Sequence, residues 1–399
     1  MNNSILRHPR VDVADVLRGF AVMGIILLHS IEHFNFASYP DSAGQSAWIN
    51  FTDDAIWDSL FFLFGGKAYA IFALLFGFSF YIQDDNQRMR GHDFRLRFCW
   101  RLVLLFLIGN LNASFFTAEV LVLYSLTGFI LPLTCRLKDK WLFALACLLL
   151  IQPLPLYYTI RASVDPLFVS PEIPTRSFWQ ATYAVQSTGN FFETLRVNLW
   201  EGQIASLAWA WDHGRVFQTS ALFLLGLLIG RRGLFLEHHL PFWGKVLAGA
   251  LICFFPLNGL CHMLPDFISN RSISKPLLLI LKSLANFSFM LILLSGVIFA
   301  FYRSRQLHTR LLRLIPYGRM SLTNYITQSI VGSLLYYNWG LSLHDDWNIT
   351  ISFLVGILFF LLQWAACCWW MRHHTHGPLE YLWKKATWIN RKPSKIIQS

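Results

Sequence analysis

From Gly318 to Ser329 the chain reads GRMSLTNYITQS, and long apolar runs flank it: ANFSFMLILLSGVIFAF (285–301) before it, ISFLVGILFFLLQWAACCWW (351–370) after it. Each flanking run has about the length of a bilayer crossing, roughly 20 residues. On a helix, Ser321, Asn324, Tyr325 and Gln328 follow i, i+3, i+4, i+7 spacing and make one polar stripe, with Arg319 just inside its start. Such a stripe cannot face lipid, where every unpaired polar group costs several kcal/mol. It faces either a watery cavity or neighbouring helices joined to it by hydrogen bonds. The Arg favours a cavity, with Arg319 as its charged gate, because packing contacts would need Asn and Gln but no cation.

The rest of the chain agrees with a membrane reading. Of 399 residues, 55% are hydrophobic and 14% charged, against about 25% charged in a soluble domain. The expected fold is all-α: a polytopic membrane protein with about ten transmembrane helices, near 12–33, 55–82, 101–117, 118–135, 141–160, 216–230, 243–264, 276–301, 316–338 and 348–371. The net charge of +11 does not point to nucleic acid, because the basic residues fall in short clusters between apolar runs. By the positive-inside pattern, the clusters at 7–10, 88–101, 136–140, 231–232, 303–313 and 372–395 lie on one side, which places both termini in the cytoplasm. The segment 161–215 is then extracytoplasmic. It is rich in aromatics such as Trp179, Trp200 and Trp209, and is expected to lie over the bundle mouth as interfacial helices. The basic tail, 389–399, is expected to be disordered.

The first apolar run carries Asp15 and Arg18 and no small-x-small cleavage site follows, so it is expected to stay as a membrane helix. The seven Cys show no CxxC spacing and indicate neither a disulfide framework nor a zinc site. HHTH (His373, His374, His376) and EHH (237–239) sit at helix ends, where solvation at the interface explains them better than a metal.

Several motifs carry polar groups into apolar runs. In DVLRGFAVMGIILLHS, Asp15 and Arg18 are one turn apart, and His29 continues the same face about 16 Å further along. The pair is either a snorkelling ion pair or part of a site, and His29 either a structural or a reactive imidazole. In FLFGGKAYAIFALLFG, Gly65 and Gly66 precede Lys67. Two glycines there break the helix for an anion site, or else mark where the span begins with Lys67 at the interface. Asn112 and Glu119 bracket a tight turn in GNLNASFFTAEV, so His29, Lys67, Asn112 and Glu119 are expected at the same, outer end.

The chain resembles the YeiB family of bacterial inner-membrane proteins. The most specific match is GRMSLTNYITQS followed by GPLEYLWKKATW (377–388). DVLRGFAVMGI (15–25), GGKAYAIFALLFG (65–77) and ALFLLGLLIGRRGLF (221–235) fit in the same order. The family usually has Asn where this chain has His29 and His where it has Asn112, so one of each is kept on exchanged helices. The wider superfamily is similar to transmembrane acyltransferases, which pass an acyl group from cytoplasmic acyl-CoA to an acceptor across the membrane. The resemblance thus implies acyl-CoA as donor substrate and no metal. Arg18 and Arg319 would hold its phosphates, with Asp15 and Lys67 as further binding residues, and the pantetheine arm would follow Ser321, Asn324 and Gln328. His29, alone or with Asn112, would activate a small-molecule, glycan or lipid acceptor, and Glu119 would orient it. A transporter using the same polar path, and a structural subunit that needs a partner, are the other readings. The expected setting is the bacterial inner membrane, multi-pass, as a possible homodimer.

Overall fold

The computed structural model describes residues 11–32, 34, 36, 39–40, 42–165, 167–171 and 173–389; the basic tail from 390 onward lies outside them. The described residues are helical, with no strand among them. The first half runs α1 (Asp12–Ile31), α2 (Ala47–Phe64), α3 (Ala68–Arg88), α4 (Arg95–Ala113), α5 (Leu121–Thr127), α6 (Ile130–Thr134), α7 (Asp139–Leu150) and α8 (Pro153–Val164). Then come α9 (Thr175–Thr188), α10 (Phe191–Val197), α11 (Gln203–Asp212), α12 (Arg215–Arg231) and α13 (Leu240–Phe267). The chain closes with α14 (Arg271–Arg303), α15 (Arg305–Leu312), α16 (Ile315–Arg319), α17 (Ser321–Tyr336), α18 (Ile349–His373) and α19 (Pro378–Thr387).

Among the described residues, six stretches are long and apolar enough to cross a membrane: 12–31, 47–88, 95–113, 237–267, 271–303 and 349–373. The bent pair α7–α8, with a 52° break, makes a seventh if it is one span. The other three expected spans are shorter. The 118–135 run is divided at Gly128 into α5 and α6, α12 has 17 residues, and the 316–338 run divides into α16 and α17 at Met320. The 42-residue stretch 47–88 is interrupted at Gly65–Lys67, where Gly66 takes a φ of 73°, a left-handed conformation suited to glycine.

α1 is the axis of the fold and packs on α2, α3, α16, α17 and α18. Its crossing with α16 is close. A Cβ on Gly318 would lie 2.0 Å from the Asp15 carbonyl oxygen, so only glycine fits between the two backbones. α13 and α14 form a peripheral hairpin whose outward side chains, Ile252 and Phe255 among them, are exposed, as suits a lipid-facing surface.

Candidate functional site

Two cavities lie end to end along α1. The first, of ≈ 610 Å³, is at the Arg-rich end and is lined by Arg18, Ser79, Arg90, Arg101, Arg319, Ser321 and Lys384, among others. The second, of ≈ 850 Å³, is at the opposite end and includes His29, Gly66, Glu119 and Arg215. The segment 161–215 contributes Trp179 and Tyr183 of α9 and Trp209 of α11 to the wall of this second cavity. Ile25, Tyr69, Val120 and Tyr325 line both cavities and so form the septum between them.

The septum is pinned from several elements. The Val120 N–H donates to the Tyr325 hydroxyl at 3.3 Å, the Tyr124 hydroxyl donates to the Tyr69 carbonyl at 2.8 Å, and the Tyr69 hydroxyl donates to Gln218. Ile25 and His29 are successive turns of α1, about 6 Å apart along its axis, so the imidazole begins where the septum ends. The His29 ring packs on Phe116, centroids 4.7 Å apart, and edge-on to Tyr325 at 6.1 Å. Glu119 is buried and accepts hydrogen bonds from the Asn112 amide and the Leu121 N–H. Asn112 stands behind Glu119 and is itself buried.

At the Arg-rich end, buried Asp15 accepts from Arg18 and from Arg319 Nε, the latter at 3.2 Å. Arg18 also donates to Ser79 Oγ at 2.7 Å, and Arg319 approaches Asp12 at 3.8 Å. Both guanidiniums line the cavity but are held by carboxylates, which makes them part of its wall rather than free clamps. Arg101 lies flat over the Trp383 ring at 3.6 Å. No carboxylate among the described residues forms an ion pair with Arg90, Arg101 or Lys384. The floor is closed by α19. Glu380 Oε1 accepts from the Leu322 and Thr323 N–H groups at 2.7 and 3.0 Å, and its Oε2 from the Thr323 hydroxyl at 2.6 Å. The carboxylate thereby satisfies the orphan donors at the start of α17 and opposes the positive end of its dipole.

The structure divides the polar stripe that the sequence presents. Ser321 faces the first cavity, together with Leu322 and Tyr325. Asn324 and Gln328 turn instead toward α16 and α18. Asn324 donates to the Tyr317 carbonyl at 3.0 Å and receives the Cys367 thiol; Gln328 donates to the Tyr317 hydroxyl at 3.1 Å and to Gln363 at 3.3 Å. They are interhelical glue, not a cavity surface, because α18 supplies hydrogen-bonding partners on that face. Lys67 sits at the helix break as expected, but its ammonium is turned inward to the Phe61 carbonyl at 3.2 Å, near the Phe289 ring at 5.5 Å. Its neighbours Gly65, Gly66 and Ala68 line the cavity in its place. Tyr69, Arg90, Arg101, Arg215 and Lys384 enter as site residues that sequence patterning treated as interface or topology charges, or passed over.

The family described as a protein of unknown function (DUF418) matches residues 229–390. The uncharacterized protein YxaH of Bacillus subtilis (strain 168) is 25% identical over 420 residues, covering 97% of this chain and 96% of the relative. An uncharacterized 39.9 kDa protein in the amylase 3' region of Bacillus acidopullulyticus is 26% identical, with 97% and 96% covered. The uncharacterized protein YeiB of Escherichia coli (strain K12) is 25% identical, with 94% and 95% covered. No solved structure matches.

Proposed function

We propose that this chain, a member of the YeiB family, is a transmembrane acyltransferase of the bacterial inner membrane that moves an acyl group from cytoplasmic acyl-CoA to an extracytoplasmic acceptor. In this reading both termini and the Arg-rich cavity are cytoplasmic, and the shorter helices α5–α6, α12 and α16–α17 complete about ten crossings with their neighbours. The observation that carries it is the septum: two cavities at successive levels of α1 meet at four side chains, with Arg90, Arg101 and Lys384 in one and His29 and Glu119 in the other.

Acyl-CoA enters the first cavity with its phosphates against Arg90, Arg101 and Lys384, where Arg suits phosphate geometry. Arg18, Arg319 and Asp15 hold the wall beside it, and Ser321 offers a hydroxyl along the arm. The thioester reaches Ile25 and Tyr325. From the far side, the acceptor hydroxyl approaches His29. His29 takes the hydroxyl proton as the oxygen attacks the thioester carbonyl; the C–S bond breaks, and the thiolate leaving group recovers that proton. Glu119, fixed by Asn112, stabilises the imidazolium formed in between. Asn324 and Gln328 keep α17 in place, and Lys67 supports the break in α2–α3.

Incubating the purified full chain with labelled acyl-CoA and membrane extract tests the reading through CoA release and transfer of label. Acyl-CoA at 100 times its Kd should also add about 2.7 kcal/mol to stability. A folded protein that neither releases CoA nor is stabilised by any acyl chain length points instead to a transporter. The same septum supports that second reading, as a barrier whose tyrosines move to pass a solute.

A further inference from the structure

The second cavity holds a group of donors that acyl transfer does not use. Arg215, the first residue of α12, spreads its guanidinium over the Tyr69 ring at 4.4 Å and near the Trp209 ring at 5.4 Å. Its Nη1 donates to the neutral Gln218 Oε1 at 3.0 Å, and no carboxylate among the described residues pairs with it. Asn286 and Lys282, one turn apart on α14, line the same cavity, as does Arg176 of α9. The helix break brings two of these donors to one point. A Cβ on Gly66 would lie 3.2 Å from Asn286 Nδ2 and 3.3 Å from Arg215 Nη2, so the absent side chain leaves both aimed at a common space. The cavity's carboxylates, Glu32 and Glu119, are carried by other elements, at the end of α1 and in the turn after α4. Glu119 is already taken by two N–H donors.

From this layout we infer that the second cavity binds a phosphate-bearing hydroxyl compound, its phosphate held by Arg215, Asn286 and Lys282 and its hydroxyl presented to His29. Donors from separate helices suit a tetrahedral anion with several oxygens. The flanking aromatic faces and the wall from α9 and α11 limit the water that would otherwise screen the charge. The inference deepens the acyltransferase reading by naming the acceptor class. A soluble phosphate ester and a phospholipid headgroup share this chemistry.

The test measures binding without acyl-CoA, so its outcome is independent of whether acyl transfer occurs. Titration of the detergent-purified full chain with glycerol 1-phosphate, and its reconstitution into nanodiscs with or without phosphatidylglycerol, should each be compared with glycerol and with ethanolamine. Stabilisation by glycerol 1-phosphate, absent with glycerol and ethanolamine, supports a soluble ester. Stabilisation by phosphatidylglycerol alone supports a lipid headgroup. Arg215→Gln with Lys282→Gln should weaken binding at least tenfold, Gly66→Ala should do so by filling the cradle, and Arg215→Lys should keep part of it. Should the double variant not fold, Lys282→Gln alone, on an exposed side chain, must still weaken binding. The inference is overturned if neither phosphate compound stabilises the protein, or if glycerol does so equally, or if the folded variants bind as tightly as the parent.

Discussion

Arg319 Nε lies 3.2 Å from Asp15 Oδ2, joining two motifs 304 positions apart in the chain. Asp15 is almost completely buried and also holds Arg18, so one carboxylate bridges two guanidiniums that are each about a quarter exposed. The three residues are therefore unequal. Asp15→Asn leaves Arg18 without its carboxylate and Arg319 with only the 3.8 Å contact to Asp12, and should cost about 3 kcal/mol. Arg319→Gln leaves Asp15 its pair with Arg18 and should cost about 1 kcal/mol. Thermal unfolding in detergent ranks the two; equal losses would mean that Arg18 does not hold the carboxylate by itself.

Cysteine scanning of α17 in a background without native Cys reads its orientation. Ser321→Cys and Leu322→Cys face the first cavity and should react with a small water-soluble thiol reagent. Asn324→Cys and Gln328→Cys, enclosed by α16 and α18, should not. Labelling of the second pair at the rate of the first would place the cavity on the other side of the helix.

At the far side of the septum, His29→Ala should lower acyl transfer by about 100-fold or more while expression is kept, as for loss of a general base. Glu119→Gln preserves shape and should still cause a large loss. The exchange His29→Asn with Asn112→His gives the arrangement that the resemblance implies and should recover part of the activity. Full activity in both single variants would leave the imidazole with a packing role only.

Tyr325→Ala opens the septum by removing a side chain common to both cavities. Water should then reach the thioester. The expected result is faster CoA release without acceptor and a lower yield of transfer, whereas Tyr325→Phe should retain most of the partition. If Tyr325→Ala leaves the ratio of hydrolysis to transfer unchanged, the barrier lies elsewhere.

The membrane architecture was legible where the physics is one-dimensional. Span length and apolarity identify α1, α4, α13, α14 and α18 because lipid acts on each helix separately. The breaks at Gly128 and Met320 are not legible, because a window of hydropathy does not register them. The facing of α17 was not legible for a different reason. Periodicity shows that Ser321, Asn324 and Gln328 share a side, but an enclosed helix has partners all round. The Tyr317 carbonyl and hydroxyl that accept from Asn324 and Gln328 lie in the preceding helix, and Gln363, the other acceptor of Gln328, is 35 positions away. Of the four residues expected together, His29 and Glu119 line one cavity, while Lys67 and Asn112 do not. Arg215 leaves a usable trace in the sequence: the positive-inside reading assigns it to the side with few basic residues, so charge bias does not account for it.

The Glu380 clamp on the start of α17 has a consequence for biosynthesis. Ribosomes deliver α1 first, with Asp15 and Arg18 already close enough to neutralise each other on entry, and α19 last. Until Glu380 leaves the exit tunnel, the Leu322 and Thr323 amides lack the acceptor they have in the fold, and the Arg-lined cavity has no floor. A nascent chain arrested before α19 would thus hold the His29 cavity assembled beside an unfinished Arg-lined one.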